Sequence, residues 1–155
     1  MASDEKSILV GVDFSEGSER AVEQAVTLAL GLRAHLHVVH VYEPIAMVAP
    51  EAVLLTGEVQ GQMVVERQQR TAMLAEWALR LVGDRVPCMT HVVDGASLDG
   101  MLEEIRRVKP DLVVVGSHGR GALMRMLMGS VSTALCHRSP VPVVIVPPAP
   151  KGAAS

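Results

Sequence analysis

The sequence predicts a doubly wound α/β domain: a five-stranded parallel sheet with helices on both faces. Three observations carry that prediction. Five short Val/Ile-rich runs recur along the 155 residues, and strands covered on both sides have this composition. Between them, apolar residues repeat at i, i+3 and i+4, the period of an amphipathic helix. The two kinds of segment alternate, and right-handed strand–helix–strand crossovers place helices on each face of the sheet.

The first strand is "SILVGVD" (7–13). A helix follows, with Ala21, Val22, Ala25, Val26, Ala29 and Leu32 on one stripe and Ser15 or Ser18 as its cap. "HLHVVHVY" (35–42) is the second strand. The next segment, "EPIAMVAPEAVLLTGEVQG" (43–61), breaks the rhythm. It is longer than the usual two to six residues of a βα connection. It reads as a cover over a ligand, a partner surface or a short extra helix. The second helix pairs Met73, Trp77 and Leu81 with Leu74, Ala78 and Val82, ahead of the strand "PCMTHVVD" (87–94). The third carries Leu98, Leu102 and Ile105 behind a Ser97 cap. "DLVVVGS" (111–117) leads to a fourth helix, Ser130 to Arg138, which stops before Ser139-Pro140 because a residue preceding proline avoids the helical region. "VPVVIV" (141–146) closes the sheet. One domain over 1–155 follows, with a core of 6–147 and a frayed tail over 148–155.

Composition removes several function classes. The net charge is -3 and only Trp77, Tyr42 and Phe14 are aromatic, so the basic stripes and stacking platforms of a nucleic-acid binder are missing. No apolar run approaches the ~20 residues of a membrane span. The polar start lacks a secretory leader, and a cytoplasmic protein is expected. Cys88 and Cys136 fit no CxxC or zinc spacing and read as buried free thiols. His35, His37, His40 and His91 read as structural rather than metal-binding, with His35 and His37 on one strand face and His40 on the other. Arg106, Arg107 and Lys109, beside Glu103 and Glu104, read as a solvated helix face. Met124, Met126 and Met128 read as packing residues; Arg125 either reaches a phosphate or lies in solvent.

Ligands of doubly wound sheets sit beyond the carboxyl ends of the strands, where the strand order reverses. That directs attention to Asp13–Ser15, Val41–Pro44, Asp94–Ser97 and Gly116–Ser132. A Walker loop, GxGxxG, HExxH and GxSxG are all absent. Present instead is Gly116-x2-Gly119-x9-Gly129-Ser130, between the fourth strand and the fourth helix. Glycines let backbone N–H groups approach an anion, and a helix N-terminus adds free donors and partial positive charge. The competing reading is a turn that merely needs glycine.

The segments "DLVVVGSHGRGALMRMLMGSVSTALCHRSPVPVVIV" and "ILVGVDFSEGSERAVEQAVTLA" resemble the universal stress protein family, and the order of elements matches over nearly the whole chain. The resemblance implies strand order 3-2-1-4-5 in a Rossmann-like fold of the adenine nucleotide α-hydrolase type. In that family G-x2-G-x9-G-[S/T] marks members that bind ATP. Carried over residue by residue, it implies a nucleotide site of Val12, Asp13, Phe14, Ser15, Val41, Gly95, Gly116, Ser117, His118, Gly119, Arg120, Gly129, Ser130, Val131 and Ser132. Asp13 would face the ribose or a phosphate-bound Mg²⁺ or Mn²⁺, Val41 the adenine, and Gly95 would leave room for the nucleotide. The last strand, Val141 to Val146, would pair with its mate in a homodimer. The function implied is a cytoplasmic, nucleotide-dependent regulator of the stress response; the alternative is a nucleotide-free interaction module. With no lysine in the loop and no acid or glutamine beside it to position water, slow ATP hydrolysis or autophosphorylation is the most such a site would do.

Overall fold

Valines that alternate sides on each strand give this sheet two apolar faces, and both are covered. The structure, a computed structural model, describes residues 5–44, 57–118 and 128–150. Strands β1 (Ser7–Gly11), β2 (His35–Tyr42), β3 (Cys88–Asp94), β4 (Leu112–Gly116) and β5 (Val143–Val146) form one parallel sheet in the order β3-β2-β1-β4-β5. Helices α1 (Glu16–Leu32), α2 (Gly57–Leu81), α3 (Ser97–Val108) and α4 (Ser130–Arg138) connect them. Ile8, Val10, Leu36 and Val38 pack against Ala21, Val22 and Ala25 of α1 and Leu74 of α2. On the opposite face Leu9, Val39 and Val113 meet Met101, Leu102 and Ile105 of α3 and Leu135 of α4. The fold class and strand order are those expected.

Several boundaries differ for local reasons. β1 ends at Gly11 rather than residue 13, because the Asp13 N–H turns to the Ser18 hydroxyl instead of continuing the ladder. Ser15 is the α1 cap and accepts from the Ser18 N–H, whereas α3 is capped by Ala96, with no side-chain bond, rather than by Ser97. α2 begins at Gly57, so the end of the irregular 43–61 segment is helical; residues 45–56 lie outside the described residues. Cys88 is half-buried and Cys136 exposed, which corrects the expectation of two buried thiols. No helix among the described residues is long and apolar enough to cross a membrane.

At the end of α1, Arg33 adopts the left-handed region (φ 56°) and donates its N–H to the Ala29 carbonyl. A Cβ in that region costs about 1–2 kcal/mol, which glycine avoids, against glycine's greater freedom in the unfolded chain. Arg33→Gly is therefore expected to stabilise the fold by about 0.5 kcal/mol. A urea midpoint at or below that of the parent would contradict this.

The charges of α3 do not all face solvent. Glu104, three residues after Met101, shares its inward face and is 5% exposed. It accepts two hydrogen bonds from Arg107, which also reaches His91 on β3; His91 in turn bonds His37 on β2. Assigning every charged residue of α3 to the outside missed this cluster. His40 lies on the other face, as its alternation requires, buried with Nδ1 2.9 Å from the Val12 carbonyl oxygen. Among the described residues no three His, Cys, Asp or Glu side chains are arranged to hold a metal ion.

Candidate functional site

Strand order reverses between β1, which connects towards β2, and β4, on its other side. At their carboxyl ends the structure opens a cavity of about 520 Å³, within the usual range for a small-molecule site. Its sheet side is apolar, formed by Gly11, Val39, Val41 and Val115; Met101 of α3 continues that surface beside the Ser97 hydroxyl. The N-terminus of α4 lines it as well.

The turn leaving β1 is built around one carboxylate. Asp13 Oδ1 accepts from the Ser15 N–H (3.1 Å), the Ser15 hydroxyl (2.5 Å) and the Ser18 hydroxyl (2.5 Å). The Ser18 oxygen also accepts the Asp13 N–H. The cap Ser15 and the first-turn Ser18 of α1 thus hold Asp13 at the cavity wall, next to Val12. Phe14 passes through positive φ (63°) and packs its ring on His40 and Trp77. It is absent from the cavity lining, and so is Ser15, which is engaged as the cap.

On the far side, Gly129 precedes α4 without any side-chain cap. The N–H groups of Ser130, Val131 and Ser132 therefore have no intrahelical acceptor, and the positive end of the helix dipole lies beside the cavity. Hydrogen bonds join Gly116 and Ser117 to Gly129, Ser132 and Val146. The Gly129 N–H donates to the Ser117 carbonyl (2.6 Å), the Ser117 N–H to Val146 (2.8 Å), and the Ser132 hydroxyl to Gly116 (2.7 Å). Ser117 is buried beneath the surface of the site, and His118 borders the cavity with Nδ1 2.8 Å from the Ser117 hydroxyl oxygen. Gly119 and Arg120 lie outside the described residues.

Glycines here serve packing as well as access. A Cβ on Gly116 would stand 3.0 Å from the Gly17 carbonyl oxygen, so this position holds α1 against β4. Gly95 has open space where a Cβ would go, but its φ of 142° suits glycine alone; the backbone, not room for a ligand, dictates the residue. Gly100 is tighter than Gly116: a Cβ would come 2.5 Å from Val41 Cγ1, at the cavity wall. Gly100→Ala gains helix propensity but overpacks the α3–β2 contact, for a net loss of about 1–2 kcal/mol. Thermal unfolding unchanged from the parent would show that α3 yields freely.

The cavity thus gathers Val12, Asp13, Val41, Gly116, His118 and Gly129 through Ser132 from the residues carried over from the sequence. It adds Gly11, Ser18, Val39, Ser97, Met101 and Val115. Ser18 was legible only as a helix cap, Ser97 as a cap at the end of the Asp94–Ser97 strand-end window, and Met101 carried no signal of its own.

The universal stress protein family matches residues 5–147 of this sequence. The chain belongs to the universal stress protein family. A universal stress protein of Mycobacterium tuberculosis, Rv2005c, is 34% identical over 138 residues, covering 89% of this chain and 44% of that protein. The chain spans about half the length of the mycobacterial relatives it matches. Among solved structures of universal stress proteins, one in complex with cAMP is 29% identical, with a TM-score of 0.64 over 92% of this chain and 96% of its own. Another, from Archaeoglobus fulgidus in complex with dAMP, is 19% identical with a TM-score of 0.63, covering 90% of this chain and 96% of its own; at that identity it speaks for the shared fold alone.

Proposed function

We propose that this universal stress protein binds an adenine nucleotide in the cavity at the β1–β4 switch point, and that ATP is its ligand. One observation carries the reading: a single cavity has an apolar sheet wall at Val39 and Val41 and an uncapped helix N-terminus at Ser130. That pairing suits a base and a phosphate chain respectively. The cAMP complex of a 29% identical relative supports the nucleotide class, and the intact glycine spacing, marking ATP binders in the family, supports ATP.

A divalent cation accompanies the ATP in this proposal. Asp13 is the candidate first ligand, but its Oδ1 is already shared by three donors. The donor set fits a cation held mostly through the phosphates, with Asp13 turned towards ribose hydroxyls or the ion's water. The metal would supply charge neutralisation of the phosphate chain. Of the described lining residues only Asp13 and His118 carry an acidic or basic side chain, a set suited to holding ATP and at most to slow hydrolysis. The regulatory unit is proposed to be a cytoplasmic homodimer paired through Val141–Val146, an apolar run at the free edge of the sheet.

The test begins with purified protein, denatured so that released nucleotide is identified by mass, followed by calorimetric titration with ATP-Mg²⁺. Gly119→Val, which breaks the glycine motif, should lose binding while its thermal unfolding persists. Absence of both co-purified nucleotide and ATP-Mg²⁺ binding sinks the reading in favour of an interaction module.

A further inference from the structure

The polar cluster between α3 and the sheet is built on the same helix that walls the cavity, and its hydrogen bonds fix where the protons sit. A guanidinium only donates. Arg107 places a terminal nitrogen 2.8 Å from His91 Nδ1, so Nδ1 is the unprotonated acceptor. His91, neutral, then carries its proton on Nε2 and donates it to His37 Nδ1, 2.9 Å away. His37 Nδ1 is an acceptor in turn, which leaves its proton on Nε2. The relay Arg107 to His91 to His37 therefore exists only while both rings are neutral.

An added proton has no place in that arrangement. On His91 Nδ1 it confronts the Arg107 donor and competes for Glu104 Oε1, 3.2 Å away. On His37 Nδ1 it confronts the His91 Nε2–H. Glu104 is buried and already accepts from Arg107 at both oxygens. The charged and titratable groups facing the pair are His35 on β2, its ring 5.0 Å from His37, and Glu104 and Arg107 on α3. One carboxylate thus faces three imidazoles and a guanidinium. Burial, then the like charges of His91 and His35, hold His37 down at about 4; burial also lowers His91, against the opposing pull of Glu104. The Arg107 hydrogen bonds keep Glu104 below its ordinary value, which favours its ionised form.

Ser97, Met101 and Glu104 fall at i, i+4 and i+7 on α3, one face of the helix. Two of them line the cavity and the third anchors the relay. Gly100, between them, sits tight against Val41. Any shift of α3 from β2 and β3 changes the cavity wall, because packed interfaces do not deform continuously.

We propose that His37, His91, Glu104 and Arg107 form a proton-binding site antagonistic to the cavity: protonation unlatches α3 from the sheet and weakens nucleotide binding. The second half rests on the nucleotide reading above; the first does not. By linkage, bound nucleotide makes the cluster harder to protonate by the same factor.

Calorimetric titration with ATP-Mg²⁺ at pH 7.5 and 4.5, on the parent and on His37→Leu/His91→Leu, tests the coupling. The phosphates titrate identically in both experiments, so the comparison isolates the cluster. The parent should lose at least about threefold more affinity on acidification than the double variant; equal losses overturn the coupling. A ligand-free arm follows amide exchange in α3. Protection factors should fall in the parent at pH 4.5 and not in the variant, and equal protection overturns the latch. Should the variant fail to fold, the parent alone decides through imidazole ¹⁵N shifts at pH 7.5: both rings as Nε2–H tautomers support the relay, and an Nδ1–H ring at either position refutes it. Parent protein that shows the tautomers and the exchange change but binds no ATP retires the nucleotide reading and the coupling while leaving the proton site standing.

Discussion

Replacing Ser130 with aspartate should remove most nucleotide binding while raising the melting temperature. The two effects have one cause. Ser130 is the first residue of α4, exposed, and lines the cavity beside an N-terminus with no side-chain cap. A carboxylate in the first turn interacts favourably with the helix dipole, contributing about 0.3–1 kcal/mol to stability. The same charge within about 4 Å of a phosphate opposes it by about 1–4 kcal/mol between fully solvated and partly screened limits, a loss of roughly fivefold to several hundredfold in affinity. Structural damage would lower both quantities together, so opposite signs are diagnostic. Calorimetry with ATP-Mg²⁺ and a thermal melt on the same preparation read the two. Unchanged affinity would mean that the phosphates do not lie at α4. A lowered melting temperature would mean that Ser130 does something for the fold that the structure does not show.

The contrast between Ser130 and Asp13 marks what was legible in the sequence. Val/Ile runs and alanine stripes fixed the fold class because burial on two faces leaves a compositional trace at nearly every residue of β1, β2 and α1, whereas the strand order came from the family resemblance. The glycine spacing located the loop, and the placing of ligands beyond the strand ends located Asp13, Val41 and the start of α4, to which the family resemblance added Val12. Direction was harder. Phe14 adjoins Asp13 in sequence, yet the positive φ of the turn sends its ring to His40 on the other face. Ser18 satisfied a simpler reading as a cap, which hid its place at the cavity. Glu104 was missed because charge on a helix ordinarily means solvent; beyond Arg107 on the same helix it meets His91, 13 residues away on β3, which in turn bonds His37 on β2. No local pattern announces a partner that only topology supplies.

That hidden cluster carries the second large expectation: the fold should lose about 3 kcal/mol between pH 6.5 and 4 through His37 alone. The residue is 7% exposed, and burial, followed by the like charge of His91 and His35, brings it from 6.5 to about 4. A histidine whose pKa folding lowers costs stability wherever the unfolded chain holds a proton that the folded chain refuses. Above pH 6.5 neither the folded nor the unfolded chain holds the proton, and the full stability is present. Between 6.5 and about 4 the unfolded chain binds a proton that the folded chain refuses, so stability declines as pH falls, by about 1.4 kcal/mol per unit. Below about 4 both states hold it and this slope ends. Carboxylates add their own acid dependence, common to the parent and to His37→Leu. Urea midpoints at pH 7 and 4.5 for both proteins separate the contributions: the parent should lose about 2–3 kcal/mol more than the variant across that interval. Equal losses would mean that His37 takes up its proton in the folded state as readily as in the unfolded chain, and that the relay to His91 and Arg107 holds no more than the packing around it.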